Sequence, residues 1–260
     1  MIQALEFTDK HFYHNLISFI MLGIWIYIGI KGYRLNSIRL KRKISIYIIS
    51  ICLLQELIDF TNRIFLDSDY MFSIQRDLPF LQFCQISFYF SLLCIFYTKT
   101  NINDNQKYSL KQFTFDASFL LGFSGALQGI LTPDFLNINN LLGVICIQLQ
   151  HSLIILNLVW LMFAYGYRLK FRGVYLTYIL INLIAPFALV LNKLLGVNTL
   201  GDSANYFYVN ELPKIDNFFL NFVSQYQSPD YILYIQPVFI IYFLTLYAPF
   251  ALLNRIRKGS

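Results

Sequence analysis

The stretch LISFIMLGIWIYIGIKGYRLNSIRLKRK, residues 16–43, passes from an almost wholly apolar segment straight into a linker with six basic residues. A helix rising about 1.5 Å per residue needs about 20 apolar residues to cross a hydrocarbon core about 30 Å thick. Lysine and arginine beside such a segment mark its cytoplasmic end. The stretch therefore reads as a membrane-crossing helix with its basic end inside.

The same alternation continues along the chain. Hydrophobic residues make up 57% of its 260 residues and charged residues only 13%, against about 25% charged in a typical soluble domain. Apolar runs expected to cross the bilayer cover residues 12–31, 44–65, 78–98, 113–132, 141–166, 174–195 and 231–252. Of the 20 lysines and arginines, fifteen lie after the first, third, fifth and seventh runs. The other five are Lys10, Arg63, Arg76, Lys193 and Lys214. The expected fold is all-α: a polytopic seven-transmembrane-helix bundle, N-terminus outside and C-terminus cytoplasmic. It forms one transmembrane domain over residues 1–260 of a multi-pass cell-membrane protein.

The net charge of +6 follows from this topology and calls for no nucleic acid. The chain carries no arginine–aromatic RNA motif, zinc-ligand spacing or phosphate loop. No metal and no cofactor is expected; the expected partners are membrane lipids, and no protein partner is indicated. Cys52, Cys84, Cys94 and Cys146 all lie in apolar stretches and read as reduced thiols. No basic n-region with a small-residue cleavage site precedes the first run, so no cleaved leader is expected. The long outer linker, residues 196–230, is expected to fold over the outer mouth of the bundle or lie in the interface.

Polar groups inside such runs are costly in hydrocarbon and stand out as functional candidates. Glu56 and Asp59 share a face in the outer half of the second run, with Arg63 four residues further on. On a straight-helix reading Cys84 lies about 9 Å below the outer end of the third run and His151 about 15 Å down the fifth. Gln82 and Gln85 flank the thiol, Gln128 ends the fourth run and Asn192 ends the sixth. These groups all fall in the outer half of the bundle, as a hydrated pocket opening outward requires.

Plainer roles compete for several of them. Cys84, Ser87, Ser91 and Cys94 form a small-residue stripe suited to close helix packing. In IQLQHSLIILN, residues 147–157, Gln148 and His151 are expected to face the pocket together, and Gln150 and Asn157 to bond neighbouring helices. His11 and His14 are expected in the solvated outer interface, and Asp116 in a wet cytoplasmic end.

Several longer words extend the pattern: LPFLQFC at 78–84, GFSGALQGILTPDF at 122–135, IQLQHSLIILNLVWLMFAYGYR at 147–168, INLIAPFALVLNKLLGVN at 181–198, NYFYVNELP at 205–213 and YFLTLYAPF at 242–250. With these words the chain resembles the YwaF-like (TP0381-type) integral membrane family, related to the transmembrane protein 164 group. That resemblance implies acyl transfer between lipids by a membrane-embedded cysteine with a histidine nearby, here Cys84 and His151. Gln82 and Gln85 stand where relatives carry histidine, which leaves His151 as the base.

The implied chemistry is a lipid acyltransferase or acyl-ester hydrolase. His151 takes the Cys84 proton and the thiolate attacks the ester. Gln82, Gln85 or Gln148 would stabilise the oxyanion, and Glu56 or Asp59 would orient the histidine. The residues leave two other classes open. One is a transporter or receptor that binds a cation or small polar ligand through Glu56, Asp59 and Asn192. The other is a structural subunit of a membrane complex. A retinal protein is disfavoured, because the seventh run has no lysine.

The basic split makes a direct prediction. A reporter fused to the C-terminus should be active only in the cytoplasm, and one inserted in residues 196–230 only outside. The opposite pattern would overturn the orientation.

Overall fold

The computed structural model describes residues 7–101, 107–135, 138–199, 201–213 and 218–259, and among these the regular structure is helical. In chain order the helices are α1 (Phe7–Arg34), α2 (Ile38–Thr61), α3 (Phe83–Tyr97), α4 (Leu110–Leu121), α5 (Leu127–Leu131), α6 (Leu141–Tyr165), α7 (Phe171–Leu195), α8 (Phe218–Asn221), α9 (Asp230–Tyr234) and α10 (Gln236–Gly259). A π-helical turn, Asn62–Leu66, prolongs α2, and another, Gly122–Ala126, joins α4 to α5. A short 3₁₀ turn, Tyr206–Tyr208, lies in the long linker.

Five helical segments are long and apolar enough to cross a membrane: Asp9–Arg34, Ile38–Leu66, Leu141–Tyr165, Phe171–Leu195 and Asp230–Ile256. The expected third and fourth crossings differ from this pattern. α3 has 15 residues, about 22 Å of rise, which is short of a hydrocarbon core. Pro79 and the left-handed Phe80 (φ 68°) precede it, so the chain over residues 67–82 stays irregular and the helix starts late. The fourth run is interrupted by the Gly122–Ala126 π turn.

Local chemistry sets the helix ends. Ser37, Ser109 and Asn140 cap α2, α4 and α6 by accepting from Leu40, Gln112 and Gly143 amides. Gly166, at φ 82°, closes α6 in the left-handed region that glycine adopts without steric cost.

α6 is the central helix and is buried over most of its length. α1 lies along it, and at Gly32 a side chain would meet Ala164 N at 3.1 Å and the Trp160 ring at 3.3 Å. The polar residues of α6 are divided among its neighbours. Gln148 donates to Ser18 Oγ of α1 at 2.5 Å, Gln150 to Glu56 Oε1 of α2 at 2.5 Å, and Asn157 to Ser91 Oγ of α3 at 2.9 Å. Cys52 of α2 bonds Asn157 Oδ1 at 3.7 Å, and Trp25 of α1 donates to the Ser152 carbonyl at 3.0 Å. Such bonds hold helices together where lipid supplies no hydrophobic drive for association.

The α3 stripe packs as its small residues allow. Ser87 Oγ donates to the Ser118 carbonyl at 2.7 Å, and Ser118 Oγ returns a bond to the Ser87 carbonyl at 2.6 Å. Asp116 of α4 is fully buried, which corrects the expectation of a wet site. It accepts from Gln112 Nε2 at 2.8 Å and the Tyr108 hydroxyl at 2.9 Å.

Candidate functional site

The late start of α3 has a chemical consequence. Cys84 is the second residue of the helix, and not a residue buried partway along a crossing. Gln82, extended at φ −135° and ψ 149°, precedes the first turn and offers no side-chain cap. The first amide to reach an intrahelical carbonyl is that of Ile86, on Gln82 O at 3.0 Å. The amides before it lack intrahelical partners, as at any helix start. Free amides and the helix dipole place positive potential at this end of α3.

Cys84 opens into a cavity of about 480 Å³. One part of its wall is polar, with Asp59, Asn62, Arg63, Tyr70 and Asp77. A second part is apolar, with Ile181 and Ala185 of α7, Phe207 of the linker, and Ile235 and Phe239 near the start of α10. Amide side chains from Gln82, Gln85, Gln128 and Gln150 lie on the wall as well, and so does His151.

Three glycines of the fourth run bring these groups together. A Cβ at Gly122 would meet Ser87 Oγ at 2.7 Å and Ile154 Cγ2 at 2.9 Å. At Gly125 the Cys84 amide nitrogen lies 3.4 Å and the Cys84 Cβ 3.6 Å from that position. At Gly129 it is the His151 ring, with Cε1 at 2.6 Å. Cys84 and His151 thus rest on glycines four residues apart, about 6 Å along a helix. His151 is 9% exposed, and its Nδ1 is enclosed with no hydrogen-bond partner among the described residues.

The other expected site residues have different positions. Asp59 lines the cavity but is held by Arg63 at 2.6 Å. Glu56 is not on the wall; it accepts from Gln150 Nε2 and, at 3.2 Å, from the Tyr89 hydroxyl. Neither carboxylate bonds His151, which corrects the expectation that one of them orients it. Gln148 also lies off the wall, turned to α1, and Gln150 takes the cavity position beside His151. Successive residues of a helix point about 100° apart, so a wide cavity between positions 150 and 151 leaves position 148 facing elsewhere.

Asn192 serves the linker. It accepts from Tyr206 N at 2.9 Å and donates to Tyr206 O at 3.2 Å. The Tyr206 hydroxyl donates to Ile74 O at 2.6 Å and accepts from Leu78 N at 2.8 Å, tying the linker to residues 67–82. This holds Phe207 and Tyr208, both left-handed (φ 56° and 52°), on the cavity wall. Non-glycine residues keep such conformations only where surrounding bonds impose them.

Sequence reasoning missed a polar cluster on the cavity wall. The Tyr70 hydroxyl donates to Asp77 Oδ1, Ser73 N donates to Asp77 Oδ2 at 2.8 Å, and Arg63 Nη1 lies 3.8 Å from Asp77. Burial raises the Tyr70 phenol above its ordinary range, which keeps it a donor. The Arg76 guanidinium sits 4.8 Å from the Tyr70 ring centroid. The dipeptide Arg76-Asp77 just before Pro79 was the available signal.

The sequence model of the TMEM164 family matches residues 7–247. The chain belongs to the TMEM164 family. The match spans every residue on the cavity wall. No curated protein and no solved structure matches the chain. This TMEM164-family member is therefore a multi-pass membrane protein with several apolar helices.

The glycine contacts make a graded prediction for thermal stability and ring position in detergent. Gly129→Ala should force the His151 ring aside, at a cost of about 1–3 kcal/mol for overpacking. Gly125→Ala, with only ordinary contact distances, should cost less. Gly23→Ala, which meets nothing within 4 Å, should be neutral or slightly stabilising through helix propensity. Equal behaviour of all three would contradict the packing argument.

Proposed function

We propose that the protein is a membrane-embedded, thiol-dependent acyltransferase that moves acyl groups between membrane lipids, or to water when no acceptor lipid is bound. The observation that carries this reading is Cys84 at the free-amide end of α3, in one cavity with a buried histidine. Seven crossings, with the N-terminus outside and the C-terminus cytoplasmic, complete the reading. They place this cavity in the outer half of a cell-membrane bundle.

In the proposed cycle His151 removes the Cys84 proton and the thiolate attacks the ester carbonyl of a bound lipid. Negative charge develops on the carbonyl oxygen, where the first-turn amides of α3, together with the Gln82 or Gln85 side chain, can donate to it. The carbon–oxygen ester bond then breaks, His151 returns its proton to the leaving alkoxide, and the acyl group remains on sulfur. A hydroxyl of a second lipid or water gives its proton to His151 and takes the acyl group, which restores the thiol. In this cycle the proton passes between Cys84 and His151 directly or through one water.

The mixed wall suits an amphipathic substrate, with the ester near Cys84, the head toward Arg63 and Tyr70, and the chain along α7 and α10. Cation transport is the weaker reading. Asp59 already holds Arg63 at 2.6 Å, and Glu56 already holds Gln150 and Tyr89.

Full-length protein in vesicles whose phospholipids carry an alkyne-tagged acyl chain should acquire a hydroxylamine-sensitive acyl adduct on Cys84. Cys84→Ala should abolish the adduct, and His151→Ala should slow its formation by about 10²–10⁴-fold, the range for a lost general base. An undiminished adduct in Cys84→Ala would overturn the proposal.

A further inference from the structure

His14 of α1 was expected in solvent, yet it is 1% exposed. Its Nε2 lies 3.0 Å from the carbonyl oxygen of Ile130 in α5. A nitrogen facing a carbonyl must present N–H, so in the neutral ring Nε2 carries the proton and Nδ1 is left as an acceptor. That Nδ1 is enclosed and has no hydrogen-bond partner among the described residues.

His151 presents the complementary half. Its ring packs on Gly129, the residue next to Ile130, and its own Nδ1 is likewise enclosed and without a partner. The two rings thus meet α5 at neighbouring residues, His151 at Gly129 and His14 at Ile130. Consecutive residues of α5 therefore hold two buried imidazoles, each with an idle Nδ1.

The chemistry of a base supplies the link. To take a proton through Nε2, the nitrogen left for the cavity, a neutral imidazole must carry its own proton on Nδ1. A buried N–H needs an acceptor. Glu56 and Asp59, the acceptors expected for this role, are engaged by Gln150, Tyr89 and Arg63. Buried polar atoms that lack a direct partner are commonly bridged by water.

We propose that His14 is the positioning residue of His151, accepting the His151 Nδ1–H at its own Nδ1, directly or through one enclosed water. The Ile130 carbonyl fixes the His14 tautomer, and His14 in turn fixes that of His151, leaving the Nε2 lone pair toward the cavity. The inference rests on the reading of His151 as the general base. It assigns no contact between His14 and substrate.

Two substitutions separate the halves of the His14 ring. Gln at position 14 keeps a donor for the Ile130 carbonyl but offers no acceptor where Nδ1 stood. Asn puts its Oδ1 where Nδ1 stood but does not reach Ile130. The chain has three histidines, so ¹⁵N ring spectra of the full-length protein in nanodiscs can be assigned by single substitution.

Wild-type His151 should show the Nδ1–H form, His14→Gln should shift it toward Nε2–H, and His14→Asn should retain Nδ1–H. Adduct formation on Cys84 should fall at least tenfold in His14→Gln and recover in His14→Asn. A wild-type His151 in the Nε2–H form, or a tautomer unmoved in His14→Gln, overturns the proposal whatever the activity. The predicted tautomers in a protein that forms no Cys84 adduct would support the histidine pair and overturn the acyl-transfer reading alone.

Discussion

The strip of Gly122, Gly125 and Gly129 is the constraint on which the site depends. At Gly122 and Gly129 the space that a Cβ would take belongs to another helix, to Ser87 and Ile154 and to the His151 ring, and at Gly125 it borders Cys84. Without side chains on that strip, α3 and α6 both close onto the fourth helical run. The π turn at Gly122–Ala126 lies within the same strip, where an added residue resets the helical register. The first and last glycines would be sterically intolerant of a Cβ, while Gly125 is in ordinary contact. The grip is therefore tight at the two ends and looser beneath the thiol.

The aim of His151 depends in turn on the polar residues beside it in α6. A helix with apolar residues all round could rotate in a lipid-like environment at little cost. Gln148, Gln150 and Asn157 remove that freedom, because each bonds a different neighbouring helix. An unsatisfied amide in hydrocarbon is expensive, so the three bonds together select one rotation. His151 then falls between them, turned to the cavity and to Gly129. The polar run in the middle of this apolar helix is an indexing device as well as a source of chemistry.

Periodicity and charge made the membrane class and most helix positions legible. Apolar runs bounded by basic linkers predict Leu141–Tyr165 and Phe171–Leu195 to within a few residues. The third run is helical only over Phe83–Tyr97, because apolar content alone does not mark where a helix starts. Pro79 and Phe80 decided that local question, and they moved Cys84 from mid-helix to helix start. The candidate residues Cys84, Gln82, Gln85, Gln128, Asp59 and His151 share one cavity, and Glu56, Gln148 and Asn192 do not line it. What the sequence could not convey was the rotation of each helix. Gln148 turned to α1 and away from the cavity, Gln150 bonds Glu56 of α2 as expected while also lining the cavity, and His14 turned inward to the Ile130 carbonyl, because tertiary hydrogen bonds set those directions.

The central claim is that one thiol is set apart from the other three by its place at a helix end on a cavity wall. Cys52, Cys94 and Cys146 are buried, and among the four cysteines Cys84 alone lines the cavity. Labelling with a small membrane-permeant thiol reagent in native membranes, read residue by residue by mass spectrometry, tests this most directly. The account predicts modification of Cys84 well ahead of the others. Labelling of another cysteine first, or of all four at one rate, would contradict it.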